Sequence, residues 1–274
     1  MTIEIDVPGG RLLADDAGEG PPIILLHAGV ADMASWDELV PLLVAAGYRV
    51  VRYDGRGFGG SVTDDVEFSN RSDVLAVLDA LAIERAALVG NSRGGHIAID
   101  TAIEFPDRIA AIVGVGAGLG GFDHPASDVE RELFEEYERI EAAETPDAEA
   151  AADLAVRIWV DGPGQPEGRV PEWIRRHVHD AVIRSYEPGK DAGSPIVLDP
   201  LANARLAELR CPVLAIAGEY DTSLVRAIPG RLAEAAPNAR AVALPGVAHM
   251  VGMEAPDRLA ELVVDFLGPL RPWA

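Results

Sequence analysis

Cysteine occurs once in this chain, at Cys211, so no disulfide can form within it. Its place just ahead of the apolar Val213-Leu214-Ala215-Ile216 marks a small buried residue and argues against a cysteine nucleophile. Lysine also occurs once, at Lys190, a bias we assign to base composition and not to mechanism. Positive charge is scarce altogether: 23 basic residues face 45 acidic ones, for a formal net charge of −22. Such a surface repels nucleic acid and anionic lipid, so neither is an expected partner. A small-molecule substrate is expected, and a homodimer is left open. Long apolar runs are missing too. The longest uncharged apolar stretch, residues 109–122, is glycine-rich and shorter than the roughly 20 residues a membrane helix needs. The opening MTIEIDVPGG has neither a basic start nor an apolar run, so no signal peptide is read and a cytoplasmic location is expected.

What remains is ample for a large core. At 274 residues and 49% hydrophobic, the chain suits one α/β domain with an insertion better than two independent domains. Ile3, Ile5 and Val7 alternate with polar residues, and Pro8-Gly9-Gly10 turns the chain toward Leu12-Leu13, which predicts an antiparallel hairpin. Ile23 to Leu26 reads as a fully buried strand. Ser35-Trp36-Asp37-Glu38 has the serine and glutamate of a capping box opening a helix with Leu39, Leu42 and Leu43. A strand over 48–53, a helix over 73–81, a strand over 86–89, a helix over 95–105 and a strand over 109–115 follow. Short apolar strands alternating with amphipathic helices imply a mostly parallel, doubly wound sheet covered on both faces.

From Phe122 to about Pro200 the alternation stops. Residues 128–153 hold 11 acidic residues against two arginines, yet Leu133, Phe134, Tyr137 and Ile140 recur at helical spacing. This predicts an amphipathic helix with a solvated acidic face, within a helical cap over residues 122–200 that interrupts a core domain of 1–121 and 201–274. Afterwards come a strand over 213–217, a short helix around 229–235, a strand over 239–244 and a last helix from Pro256 to Leu267.

Between the strand at 86–89 and the helix after it lies Gly90-Asn91-Ser92-Arg93-Gly94, a G-x-S-x-G motif in a strand-to-helix context. The turn lifts the serine clear of the sheet, and β-carbons at the flanking positions would collide with neighbouring backbone. Ser92 is therefore the candidate nucleophile. A serine hydroxyl needs a base and an acid that orients the base. Asp221 follows the 213–217 strand and His249 the 239–244 strand, both at the carboxyl edge of a parallel sheet, where such sheets place ligands.

The elbow, the chain order Ser92, Asp221, His249 and the alternating elements together resemble the α/β-hydrolase superfamily, over nearly the whole chain. His27-Ala28-Gly29 is similar to the family's H-G-x segment, with Ala28 where glycine is usual. By that resemblance the backbone N–H groups of Gly29 and Arg93 would form the oxyanion hole. Asp54-Gly55-Arg56-Gly57-Phe58-Gly59-Gly60-Ser61 resembles the family's structural D-x-R-G-x-G-x-S loop, and an insertion at 122–200 matches the usual place of a lid. Arg93 departs from the methionine or glutamine common there. Pairing with a carboxylate of the acidic cap is expected for it in preference to holding an anionic substrate.

The resemblance implies a serine hydrolase that needs no cofactor and no metal. Val30, Trp36, Phe122, Tyr137, Trp159, Trp173 and Met250 are the candidate pocket residues. A small carboxylic ester or lactone is the first expectation for the substrate. Hydrolysis of an enol-lactone or a carbon–carbon bond, perhydrolysis, and a receptor without turnover are the alternatives. Two G-x-G-x-x-G matches, at Gly55 and Gly116, open no helix directly and are not read as nucleotide sites. His177-Val178-His179 diverges on a helix and is not read as a metal site.

Overall fold

The computed structural model describes residues 2–190 and 192–273. β1 (Thr2–Val7) and β2 (Gly10–Ala17) form the expected antiparallel hairpin, and β2 continues antiparallel onto β4 (Arg49–Tyr53). From there the sheet is parallel: β4 pairs with β3 (Pro22–Leu26), with α1 (Leu39–Ala45) connecting them. The short β5 (Val62–Thr63) pairs with β2, and β6 (Glu67–Phe68) leads into α2 (Asn70–Ala80). Next come β7 (Ala86–Asn91), α3 (Arg93–Glu104) and β8 (Ile109–Val115). The chain then leaves the sheet to build α4 (Asp128–Glu141), α5 (Ala148–Ala155), a π-helical turn (Val156–Asp161) and α6 (Glu172–Ser185). It returns through β9 (Ser194–Pro195), which pairs with β6, to β10 (Val213–Gly218), α7 (Ser223–Ala235), β11 (Ala239–Leu244), α8 (Val251–Glu254) and α9 (Pro256–Leu267). The sheet order is β1-β2-β4-β3-β7-β8-β10-β11.

Side-chain alternation explains the layering. In β3, Ile24 and Leu26 enter one core with Val77, Leu78 and Ile99, while Ile23 and Leu25 enter the other with Leu39, Leu43 and Val263. β7 and β10 divide the same way, Leu88 and Val213 to the first core and Val89 and Leu214 to the second. Every residue of β3, β7, β8 and β10 is buried, as a strand with helices on both faces requires. Each buried leucine or isoleucine contributes about 1.5–3 kcal/mol, and these four strands supply nine of them.

Several local expectations need correction. Ser35 and Glu38 form no capping box: Ser35 lies inside a 3₁₀ turn, Met33–Trp36, whose N-cap is Asp32, and Glu38 precedes α1 without a side-chain cap. α2 begins three residues before the expected Asp73, because Ser69 Oγ accepts from Ser72 N at 3.2 Å and caps it there. The acidic segment is two helices and not one. Pro146 disfavours helical backbone at Thr145, and Asp147 then caps α5 through Ala150 N. α7 starts well before the expected 229, capped by Thr222, and accommodates Pro229 in its interior, where the ring removes a single backbone hydrogen bond. No helix among the described residues is long and apolar enough to cross a membrane.

Candidate active site

The site is built where β7, β8, β10 and β11 end. β7 turns into α3 at Ser92, whose φ of 54° and ψ of −115° are sparsely populated for a non-glycine residue. The turn is held by Ser92 N donating to Val115 O at 2.9 Å, and by Ser92 O accepting from His96 N and Gly118 N, both at 3.0 Å. Its tightness explains the flanking glycines. A Cβ on Gly94 would lie 2.1 Å from Leu26 O, and one on Gly90 2.3 Å from Gly94 O.

β10 and β11 deliver a paired acid and base. His249 Nδ1 lies 2.7 Å from Asp221 Oδ2, with both side chains almost fully buried. The other carboxylate oxygen accepts from Thr222 N at 2.7 Å, so Asp221 is satisfied on both sides. Gly116, at the end of β8, packs against the pair: a Cβ there would stand 3.0 Å from His249 Nδ1 and 3.1 Å from Asp221 Oδ2. One of the two glycine-rich decoys is thus part of the site's wall. Asn91, the residue before Ser92, donates to Val115 O at 2.9 Å and to His249 O at 3.2 Å, tying the serine turn to the histidine loop. No hydrogen bond joins Ser92 Oγ to His249 in this conformation.

Across the serine lies the 27–32 loop. His27 Nε2 accepts from Gly55 N at 2.9 Å, which makes its Nδ1–H the donor to Ala28 O at 2.7 Å. Burial, then the Arg93 charge, push the His27 pKa down to about 4, so the ring is neutral. Gly29 is exposed and sits over Arg93: a Cβ on it would be 3.8 Å from Arg93 Cβ and 3.7 Å from its Cδ. Neither the Gly29 nor the Arg93 backbone N–H meets an acceptor among the described residues.

The Arg93 side chain contradicts its expected pairing. Nη2 donates to Asn70 Oδ1 at 2.9 Å, and the guanidinium lies 4.8 Å from the Phe58 ring centroid. Among the described residues no carboxylate is within ion-pair distance of it. The inserted helices approach the 28–31 and 250–253 segments.

The candidate pocket residues divide. Val30, Tyr137, Trp159 and Met250 share one apolar cluster with Ala28, Val156 and Met253, and the Trp159 ring lies 4.6 Å from the His249 ring, centroid to centroid. The other three lie elsewhere. Trp36 is 1% exposed and packs with Leu39 and Leu259 beneath the sheet, where Gly252 leaves room for its ring. Phe122 packs on the opposite core, and Trp173 is 48% exposed at the start of α6. Tryptophans are large enough to be read as pocket residues wherever they occur, and only packing separates these three positions.

Positioning residues were not legible. Arg169 donates to Val160 O (2.8 Å), Asp161 O (2.9 Å) and Gly246 O (3.1 Å) and pairs with Glu254 at 2.5 Å; Glu254 in turn accepts from Ala248 N at 3.0 Å. Asp32 accepts from Arg184 Nη2 at 3.0 Å and so joins α6 to the 27–32 loop. Glu130 caps α4 with Ser127 and also accepts from Ser223 Oγ at 2.7 Å, beside Asp221. Burial alone would raise the Glu130 pKa; the hydrogen bonds from Ser127 and Ser223 outweigh it and hold the carboxyl below its usual value. Of these, only the Ser127-x-x-Glu130 capping box had a sequence signal. Among the described residues no group of three or more His, Cys, Asp or Glu is arranged to hold a metal ion.

This fold and site define a class. A family model for the α/β hydrolase fold matches residues 21–256, and the chain belongs to that family. It is 30% identical to the 2-hydroxy-6-oxononadienedioate/2-hydroxy-6-oxononatrienedioate hydrolase of Paraburkholderia phymatum, over 94% of this chain and 91% of that one. Epoxide hydrolase B of Mycobacterium tuberculosis is 28% identical over 93% of each chain. Among solved structures, Est816, an N-acyl homoserine lactone degrading enzyme, superposes with a TM-score of 0.72 at 25% identity, covering 96% of this chain and 100% of that one. The protein is a hydrolase of this family.

Proposed function

We propose that the protein hydrolyses a small, uncharged carboxylic ester or lactone through an acyl-enzyme on Ser92. In this reading residues 122–200 are a cap on a core of 1–121 and 201–274. His249 takes the Ser92 proton as the oxygen attacks the carbonyl, Asp221 stabilises the imidazolium, and the Gly29 and Arg93 N–H groups hold the oxyanion. His249 then gives the proton to the departing alcohol oxygen. Water, deprotonated by His249, attacks the acyl carbon and releases the acid and free Ser92. The observation that carries this is the buried His249–Asp221 hydrogen bond set against the same β8 terminus that anchors the strained Ser92 turn.

The cations around the site bear on the charge a substrate can carry. Arg93 points to Asn70 and Phe58, Arg169 pairs with Glu254, Arg175 with Asp161 and Arg184 with Asp32, while Arg157 and Arg176 are exposed. What faces the site from the helices is apolar: Trp159, Tyr137, Val156. A dianionic substrate would enter a molecule of charge −22 in which Arg93, beside Ser92, is turned toward Asn70 and Phe58. The carbon–carbon bond reading keeps a specific support, the 30% identical relative named for a dienedioate. Profiling neutral short-chain esters, γ-lactones, acyl-homoserine lactones and vinylogous diketo acids tests the choice. A neutral ester or lactone is expected to lead the diketo acids in kcat/KM by at least about 100-fold, some 2.7 kcal/mol. A lead of that size for a diketo acid would overturn the substrate class and leave the triad standing.

A further inference from the structure

One side chain joins the inserted helices to the acid–base pair without touching either reacting group. Arg169 uses Nε and Nη2 to satisfy Asp161 O and Val160 O, carbonyls that the end of the π-helical turn leaves unpaired. Through Nη1 and Nη2 it also reaches Gly246 O and Glu254, and its guanidinium lies 5.3 Å from the centroid of the Tyr220 ring. Gly246 and Ala248 precede His249, Tyr220 precedes Asp221, and Glu254 fixes Ala248 N. The π-helical turn carries Trp159, the ring against His249. At Gly162 a Cβ would come within 2.5 Å of Tyr220 O, so the turn and the aspartate loop are in direct contact at the same place.

We infer that Arg169 is a positioning residue that holds the His249 loop, the Asp221 loop and the Trp159 turn in one register, so that the packing of the inserted helices and the placement of the base are set together. The inference rests on the Ser92–His249–Asp221 reading. A planar guanidinium suits the task, because its donors diverge at fixed angles toward two carbonyls of one segment and a carbonyl and carboxylate of another. Lysine offers the charge without that fork.

The test compares Arg169→Ala, Arg169→Lys, Glu254→Gln and Ser92→Ala, with turnover expressed per site titrated by a fluorophosphonate for every variant that keeps Ser92. Arg169→Ala is expected to lower kcat on para-nitrophenyl acetate by about 10- to 100-fold with KM within about 3-fold, as a misalignment of about 1 Å costs. Arg169→Lys is expected to recover little of it, and added guanidinium ion to restore Arg169→Ala and not Ser92→Ala. A kcat per titrated site within about 3-fold of wild type in Arg169→Ala, with Ser92→Ala inert, overturns this inference alone. Full recovery by lysine also overturns it. If Arg169→Ala does not fold, the isosteric Glu254→Gln decides: a kcat loss at constant KM supports the link, and wild-type kcat refutes it. Wild-type turnover by Ser92→Ala overturns the nucleophile, and this inference with it.

Discussion

At the scale of single residues, the site is defined as much by what is neutral as by what is charged. His27 is buried between Gly55 N and Ala28 O with its pKa pushed down to about 4. Between about pH 6.5 and 4 the unfolded chain binds a proton at this position and the folded chain does not. The stability His27 contributes is therefore fully present above about pH 6.5 and lost as pH falls toward 4, by about 3 kcal/mol. His177, also lowered by burial, acts in the same direction. His27→Gln keeps one donor and one acceptor but cannot titrate. Its denaturant midpoint is expected to fall less than that of the wild type over this range, and parallel curves would refute the assignment. Gly90 and Gly94 were placed at the elbow from the sequence, whereas Gly116 stood there only in a rejected nucleotide-binding motif. The first two are fixed by backbone contacts at the elbow, and the third owes its role to a neighbour, His249, more than a hundred residues away in sequence.

At the scale of elements, the main strands were legible because a buried parallel strand writes a continuous apolar run; β8 and β11 match the expected bounds, β3, β4 and β10 differ by one residue, and β7 runs two residues further, to Asn91. Helix starts were less so. Asp32, Ser69, Asp147 and Thr222 are all ordinary caps, but a sequence offers many Ser, Thr and Asp candidates, and tertiary contacts choose among them. The π-helical turn had no signal at all, and it is the element that puts Trp159 on His249. π-Helical turns of this kind are frequent at functional sites, since the extra residue per turn re-aims a side chain. Two tryptophans of the inserted segment can now be told apart. Trp159→Ala is expected to change the preference between bulky and small acyl groups by about 10-fold or more, one to two kcal/mol of differential binding. Trp173→Ala, altering a side chain that is 48% exposed, is expected to leave it unchanged. Equal effects of the two on the ester panel would remove Trp159 from the pocket.

At the scale of the molecule, one order of events along the chain accounts for the site. Three crossover connections bring the ends of β7, β10 and β11 to one edge of the sheet, although Ser92, Asp221 and His249 are far apart in sequence. The residues proposed to react came from motif and order. The supports could not be found that way, because Arg169, Glu254, Asn91 and Asp32 make their contacts across elements and carry no local pattern. Arg93 shows the same limit from the other side: its position beside the nucleophile was plain, and its direction, toward Asn70, depended on packing. The proposed mechanism requires Ser92 to form a covalent acyl intermediate. The most direct test is to mix enzyme with an activated ester, quench in acid within the first turnover and locate the added acyl mass by peptide mass spectrometry. The acyl group is expected on the peptide containing Ser92, absent from Ser92→Ala, with kcat of that variant lower by about 10⁴- to 10⁶-fold. Acyl mass on another side chain, or undiminished turnover by Ser92→Ala, would contradict the account.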